Sequence, residues 1–103
     1  MSVLGILRIE QYTTHVDKLR KAEEPARVYD NEQTFDRYTV YDTRFPENAK
    51  DMFPCLAMSA DPHNPLGFCQ HSTGAIGPHN GKEIHLIDMP YECQMLALKF
   101  LGD

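Results

Sequence analysis

The apolar positions of this chain change their spacing several times, and each change predicts an element. Val3 to Ile9 is apolar on both alternating faces at its start and becomes one-sided once Arg8 and Glu10 appear, which predicts a strand entering a sheet. Thr14 followed by Asp17 has the capping-box arrangement. Val16, Leu19 and Ala22 to Ala26 then follow near helical spacing, so a short surface helix is expected from about Thr14 to Glu24. Pro25 disfavours helical geometry at Glu24 and closes it.

Alternation returns after the turn chemistry of residues 30–33, DNEQ. In FDRYTVYDTRF, residues 35–45, Phe35, Thr39 and Tyr41 fall on one face and Asp36, Tyr38, Val40 and Asp42 on the other, the clearest strand pattern in the chain. The loop FPENAKDMFP leads to CLAMSA, a second strand expected to pair with the first as a hairpin with a long connection. Further on, KEIHLID alternates Ile84 and Leu86 against His85 and Ile87. Asp88 is placed to cap a terminal helix starting near Pro90, Gly102 to end it, and Cys93, Leu96, Ala97, Phe100 and Leu101 form its apolar face. The order strand, helix, three strands, helix predicts an α+β fold, with a small mostly antiparallel sheet of about four strands packed with two helices.

A chain of 103 residues makes one domain, residues 1–103, able to bury roughly two-thirds of its unfolded surface. The 42% apolar content is that of a globular protein. The N-terminal apolar run has no basic stretch before it and no small-residue cleavage site after it, so it does not read as a signal peptide. No segment approaches the roughly 20 apolar residues of a membrane span. Cys55, Cys69 and Cys93 are an odd, widely spaced set that favours reduced thiols and a cytoplasmic protein. The net charge is -5, and no Lys or Arg occurs between Lys50 and Lys82. Nucleic acid needs clustered cations, so direct nucleic-acid binding is not expected; the mild acidity serves solubility, or alternatively meets a basic patch on a partner protein.

Residues 59–82, SADPHNPLGFCQHSTGAIGPHNGK, hold three of the five histidines and four of the six glycines. GPHNGKE resembles a P-loop superficially. However, Gly77 and Gly81 enclose three residues where four are needed, and Glu83 stands where Ser or Thr would hold magnesium, so that reading fails. His63, Cys69, His71 and His79 are ligand types that suit zinc, yet the single residue between Cys69 and His71 matches no structural zinc signature. Cys69 with His71 or His79 would make a thiol nucleophile, in a segment without cations to stabilise a thiolate. The structural reading is an ordered loop: Asp61-Pro62 and Asn64-Pro65 form turns, Gly67 reverses the chain, and Phe68 anchors it in the core. Ordered loops are also where binding surfaces sit.

FDRYTVY (35–41), AMSADPHNPLGFCQH (57–71) and GKEIHLIDMPYEC (81–93) resemble a pattern in short uncharacterised proteins of bacteria, phages and other mobile elements. The matching residues are Asp36, Arg37, Tyr38, Thr39, Ser59, Pro62, Pro65, Gly67, Phe68, Gln70, Gly81, Lys82 and Pro90. The resemblance implies a phage or mobile-element setting and no particular mechanism.

The leading expectation is a small, acidic, non-enzymatic accessory protein that binds another protein. One concrete version is an inhibitor of a host nucleic-acid-handling or defence complex, in the manner of an anti-CRISPR protein. Its partner-binding residues are expected at Asp61, His63, Asn64, Gln70 and His71, with no cofactor. The alternative is a zinc-binding protein or small metal-dependent hydrolase using His63, Cys69, His71 and His79. A third reading is a structural subunit, with Tyr38 and Phe45 exposed in an oligomer interface.

Overall fold

The computed structural model describes residues 3–47 and 51–102, with side chains described from Gln11 onward. The chain runs α1 (Val3–Glu23), β1 (Ala26–Asp30), β2 (Tyr38–Asp42), β3 (Met52–Met58), β4 (Cys69–Ala75), β5 (Lys82–Ile84) and α2 (Tyr91–Phe100), with 3-10 turns at Pro78–Asn80 and Leu86–Asp88. This is the α+β architecture that the pattern predicts, with five strands rather than about four. Their order is β4-β3-β2-β1-β5, antiparallel at every pairing.

The first correction concerns the N-terminus, where α1 begins at Val3 in place of the expected strand over Val3 to Ile9. A short apolar run satisfies either period. Here nothing between Ile9 and Thr14 interrupts the helix formers that follow, so one helix takes the whole stretch. In the part of α1 with described side chains, His15, Val16, Leu19, Ala22 and Glu23 turn inward at intervals of three and four, and the rest is exposed. The helix stops at Glu23, as Pro25 requires. The Pro25 carbonyl then accepts from Thr43 N at 3.0 Å and Thr43 Oγ1 at 2.6 Å. That anchor turns the chain directly into β1, so Ala26 opens a strand instead of extending the helical face.

Strand parity gives the sheet two faces with separate cores. Val28, Tyr38, Val40, Leu56 and Met58 face the helices, where they pack with Leu19 of α1, Leu86 and Met89 of the connecting turn, and Cys93, Ala97, Leu98 and Leu101 of α2. Each large aliphatic buried there contributes about 1.5–3 kcal/mol relative to exposure. On the far face Tyr29, Tyr41 and Cys55 form a smaller cluster, against which Phe53 and Ile76 pack. The cover for this cluster is the segment from Ile76 to Gly81, which crosses beneath the sheet from the β4 edge to the β5 edge. Asn80, buried in that crossing, donates from Nδ2 to Tyr41 Oη at 2.8 Å and accepts from Gly77 N at 2.9 Å through Oδ1. Tyr41 Oη in turn donates to the Ala75 carbonyl at 3.2 Å. The crossing ends at Gly81, whose φ of +85° and close approach to the Asp30 carbonyl leave no room for a side chain.

Three further expectations are corrected here. Tyr38 is buried at 5% exposure and so is no part of an exposed interface, whereas Phe45 remains exposed. Acidic residues flanking a strand, as Asp36 and Asp42 do, are expected on a solvated face, but Asp42 is buried: the Arg44 guanidinium pairs with both its carboxylate oxygens at 2.8 and 2.9 Å and holds its carboxyl below the ordinary range. Arg44 Nη2 also donates to the Leu101 carbonyl at 2.8 Å, tying the end of α2 to β2. Asp88 does not cap α2, whose N-cap is Pro90, but accepts from His85 N at 2.9 Å and so closes the preceding turn. At the other end Gly102, with φ of +95°, terminates the helix as expected.

Candidate functional site: a groove between the helices

Residues 59–82 are not one loop. The loop proper spans 59–68 and is built as its turn residues predict: Asn64 N donates to the Asp61 carbonyl at 3.3 Å, Leu66 N to Asn64 Oδ1 at 2.9 Å and Gly67 N to the Asn64 carbonyl at 2.7 Å. Ser59 clamps its base, accepting from Phe68 N through Oγ at 2.8 Å and donating from its own N to the Phe68 carbonyl at 2.8 Å. Phe68 is half-buried, with its ring edge-on to exposed Phe35 at 6.4 Å, and does not reach the main core. Residues 69–75 then form β4, an edge strand.

This architecture disperses the candidate residues. Cys69 and His71 share the helix-facing side of β4 beside Leu96, Lys99 and Phe100, with the His71 ring 5.5 Å from that of Phe100. Gln70 points to the opposite face, across from Ala57. Asp61 and Asn64 border a notch with Phe35 and Leu66 at the loop tip. His79 lies in the crossing, its carbonyl bound by Asn31 Nδ2 at 2.8 Å. His63 reaches α2, where Nε2 meets Glu92 Oε2 at 3.1 Å. The four residues of the zinc reading therefore do not converge, and among the described residues no three His, Cys, Asp or Glu side chains are grouped to hold a metal. Cys69 carries an exposed thiol that partial desolvation pushes above its ordinary pKa, the opposite of an activated nucleophile. Glu83, where a P-loop would have Ser or Thr, is held by Arg27 Nε at 2.8 Å.

A groove of about 710 Å³ lies elsewhere, between α1 and α2. Leu96, Leu98 and Met95 give it an apolar floor, Tyr91 closes one end, and Lys18 and Lys99 stand on opposite walls. It continues past His15 into a second hollow lined by Tyr12, Val16 and Ile87. Four of the exposed large apolar side chains gather along this line: Tyr12 at 65%, Tyr91 at 60%, Ile87 at 48% and Met95 at 42%. Lys18 and Lys99 make no ion pair among the described residues, although Arg27, Arg37 and Arg44 are each paired with a carboxylate.

The middle of the groove is held by a fixed polar group. Buried Gln94 donates through Nε2 to the carbonyls of Ile87 at 3.0 Å and Met89 at 2.8 Å, which leaves Oε1 as its acceptor. His15 Nε2 lies 2.8 Å from that oxygen and must be the donor, so the imidazole is fixed with its proton on Nε2. The ring also packs against Tyr91 at 5.2 Å. The groove thus combines apolar walls, two ammonium groups that make no ion pair among the described residues, and one oriented imidazole. Of its residues the sequence reading named only His63 as a candidate. The rest become neighbours only when α1 and α2 meet, and apolar residues at helical spacing read as core.

Comparison with protein-family models, with curated proteins and with solved structures finds no match. No helix among the described residues is long and apolar enough to cross a membrane.

Proposed function

We propose that this protein is a non-enzymatic protein-binding module whose α1–α2 groove receives an apolar, acidic segment of a partner protein. The observation that carries the reading is the run of exposed Tyr12, Ile87, Tyr91 and Met95 beside Lys18 and Lys99, which make no ion pair among the described residues. Aromatic and Met side chains in a concave, partly dry strip are what binding surfaces concentrate, and a helix laid in such a groove presents anchors three and four residues apart. The two lysines set orientation and select an acidic segment, in place of the basic patch that the overall acidity of the chain suggests. The sequence resemblance favours a phage or mobile-element setting, and within it a cytoplasmic accessory role directed at a host defence complex is one concrete version of this reading.

The test uses a defined probe. Isotope-labelled protein is titrated with a synthetic amphipathic helix bearing Leu on one face and Glu on its flanks. Shift changes confined to residues 11–18 and 87–99, abolished by Lys18→Glu with Lys99→Glu, support the reading. Saturable binding of a long-chain fatty acid in the same groove, with none of the peptide, would replace a protein partner by a small amphiphile and overturn it.

A further inference from the structure

The β4 edge is unusual in what it lacks. Its partner on one side is β3, paired without a bulge from Met58↔Cys69 to Met52↔Ala75, and among the described residues no strand lies on the other. Edge strands are ordinarily blunted by Lys, Pro, a bulge or brevity. CQHSTGA has no charged residue, no proline and seven residues, five of them exposed, whereas the opposite edge, β5, is three residues long and carries Lys82 and Glu83. Such a strand offers a free row of backbone donors and acceptors about 23 Å long.

We propose that a second copy of this chain pairs antiparallel with β4, making a two-fold dimer with a continuous ten-stranded sheet. Full overlap of the seven residues places the two-fold axis at Ser72, with His71 opposite Thr73, Gln70 opposite Gly74 and Cys69 opposite Ala75 of the second copy. This register keeps both helical layers on one side, because opposed residues share a face. It also supplies complementary hydrogen-bonding groups. Thr73 Oγ1 donates to Glu47 Oε2 at 2.8 Å, which holds the Glu47 carboxylate against the helix-facing side of β4. With Thr73 opposite His71, each Glu47 comes beside the second copy's imidazole, and the contact occurs twice. The remainder of the strip is neutral, so a chain of net charge -5 meets itself there without opposing carboxylates.

Sedimentation velocity on the full chain, from low micromolar to about 0.5 mM, tests the proposal, because an interface this narrow gives a weak dimer. The expected result is a rise from 11.8 kDa to twice that mass, with slowed amide exchange in β4 at the higher concentrations. His71→Glu, which faces the second copy's Glu47, weakens the dimer at least tenfold, and adding Glu47→Lys to it restores association. Circular dichroism identifies any variant that fails to fold, and Thr73→Lys then takes its place with the same expected loss. A constant 11.8 kDa, association without protection of β4, or a charge swap that restores nothing overturns the proposal.

Discussion

Removing one oxygen from the far face of the sheet tests how the crossing is fastened. In Tyr41→Phe the ring still fills its place against Tyr29 and Cys55, so little packing changes and the loss is confined to the hydroxyl. That hydroxyl makes two hydrogen bonds, one from Asn80 Nδ2 and one to the Ala75 carbonyl. Each is worth about 1 kcal/mol net, and a buried donor left unpaired costs about 1–3 kcal/mol. Asn80 is 6% exposed, so its amide has little water to turn to. The expected destabilisation is about 2–3 kcal/mol, a large share of the roughly 5–15 kcal/mol of an ordinary domain. Urea unfolding should show a lower midpoint at unchanged slope. Asn80→Ala removes the same bond from its other end, so the double variant should be less destabilised than the sum of the two, by about 1 kcal/mol or more. A Tyr41→Phe loss under about 0.5 kcal/mol, or an additive cycle, would refute the latch and leave Ile76 burial as the fastening.

Other outcomes follow from the same contacts. Burial pushes the Cys93 thiol up to about 11 from an ordinary 9.0, so its contribution is complete below pH 9 and is lost as pH rises toward 11. Cys93→Ala should flatten that part of the stability profile in alkaline urea titrations. Asp42 has the opposite sign: held low by Arg44, it stabilises above the ordinary carboxyl range and loses this as pH falls, so Asp42→Asn should weaken the acid dependence measured by thermal unfolding. A thiol reagent should modify Cys69 at once and reach Cys55 and Cys93 only on unfolding, counted as one fast equivalent. Leu56→Ala, at 1% exposure between helices and sheet, should cost about 2–5 kcal/mol by chemical denaturation.

The parts legible in the sequence are those whose signal is local. The β2–β3 hairpin declares itself through aromatic and β-branched alternation, α1 ends where Pro25 demands, and α2 shows its stripe and its terminal Gly102. β1 was hidden because ARVYD follows the helix after two residues, and its Ala26 continues the helical spacing of Ala22. β4 was hidden for a different reason. An edge strand with five exposed residues has no buried face to impose alternation, so CQHSTGA reads as loop. The α1–α2 groove was the least legible feature, since Tyr12 and Tyr91 lie far apart in the chain and meet only through the sheet beneath them.

The strand order has a consequence for the route by which the chain assembles. From β1 to β4 every strand lies beside its predecessor, a meander closed by successive hairpins, while β5 must find β1 across 56 residues, Ile84 against Val28. Loop closure over that distance is penalised before any contact repays it. Val40 and Leu56 are therefore expected in the folding nucleus, with Ile84 docking after the meander has formed. Substitutions in the meander should slow folding, whereas those at Ile84 and Gly81 should chiefly hasten unfolding. The segment that seals the far face is thus expected to close only after the meander that it covers.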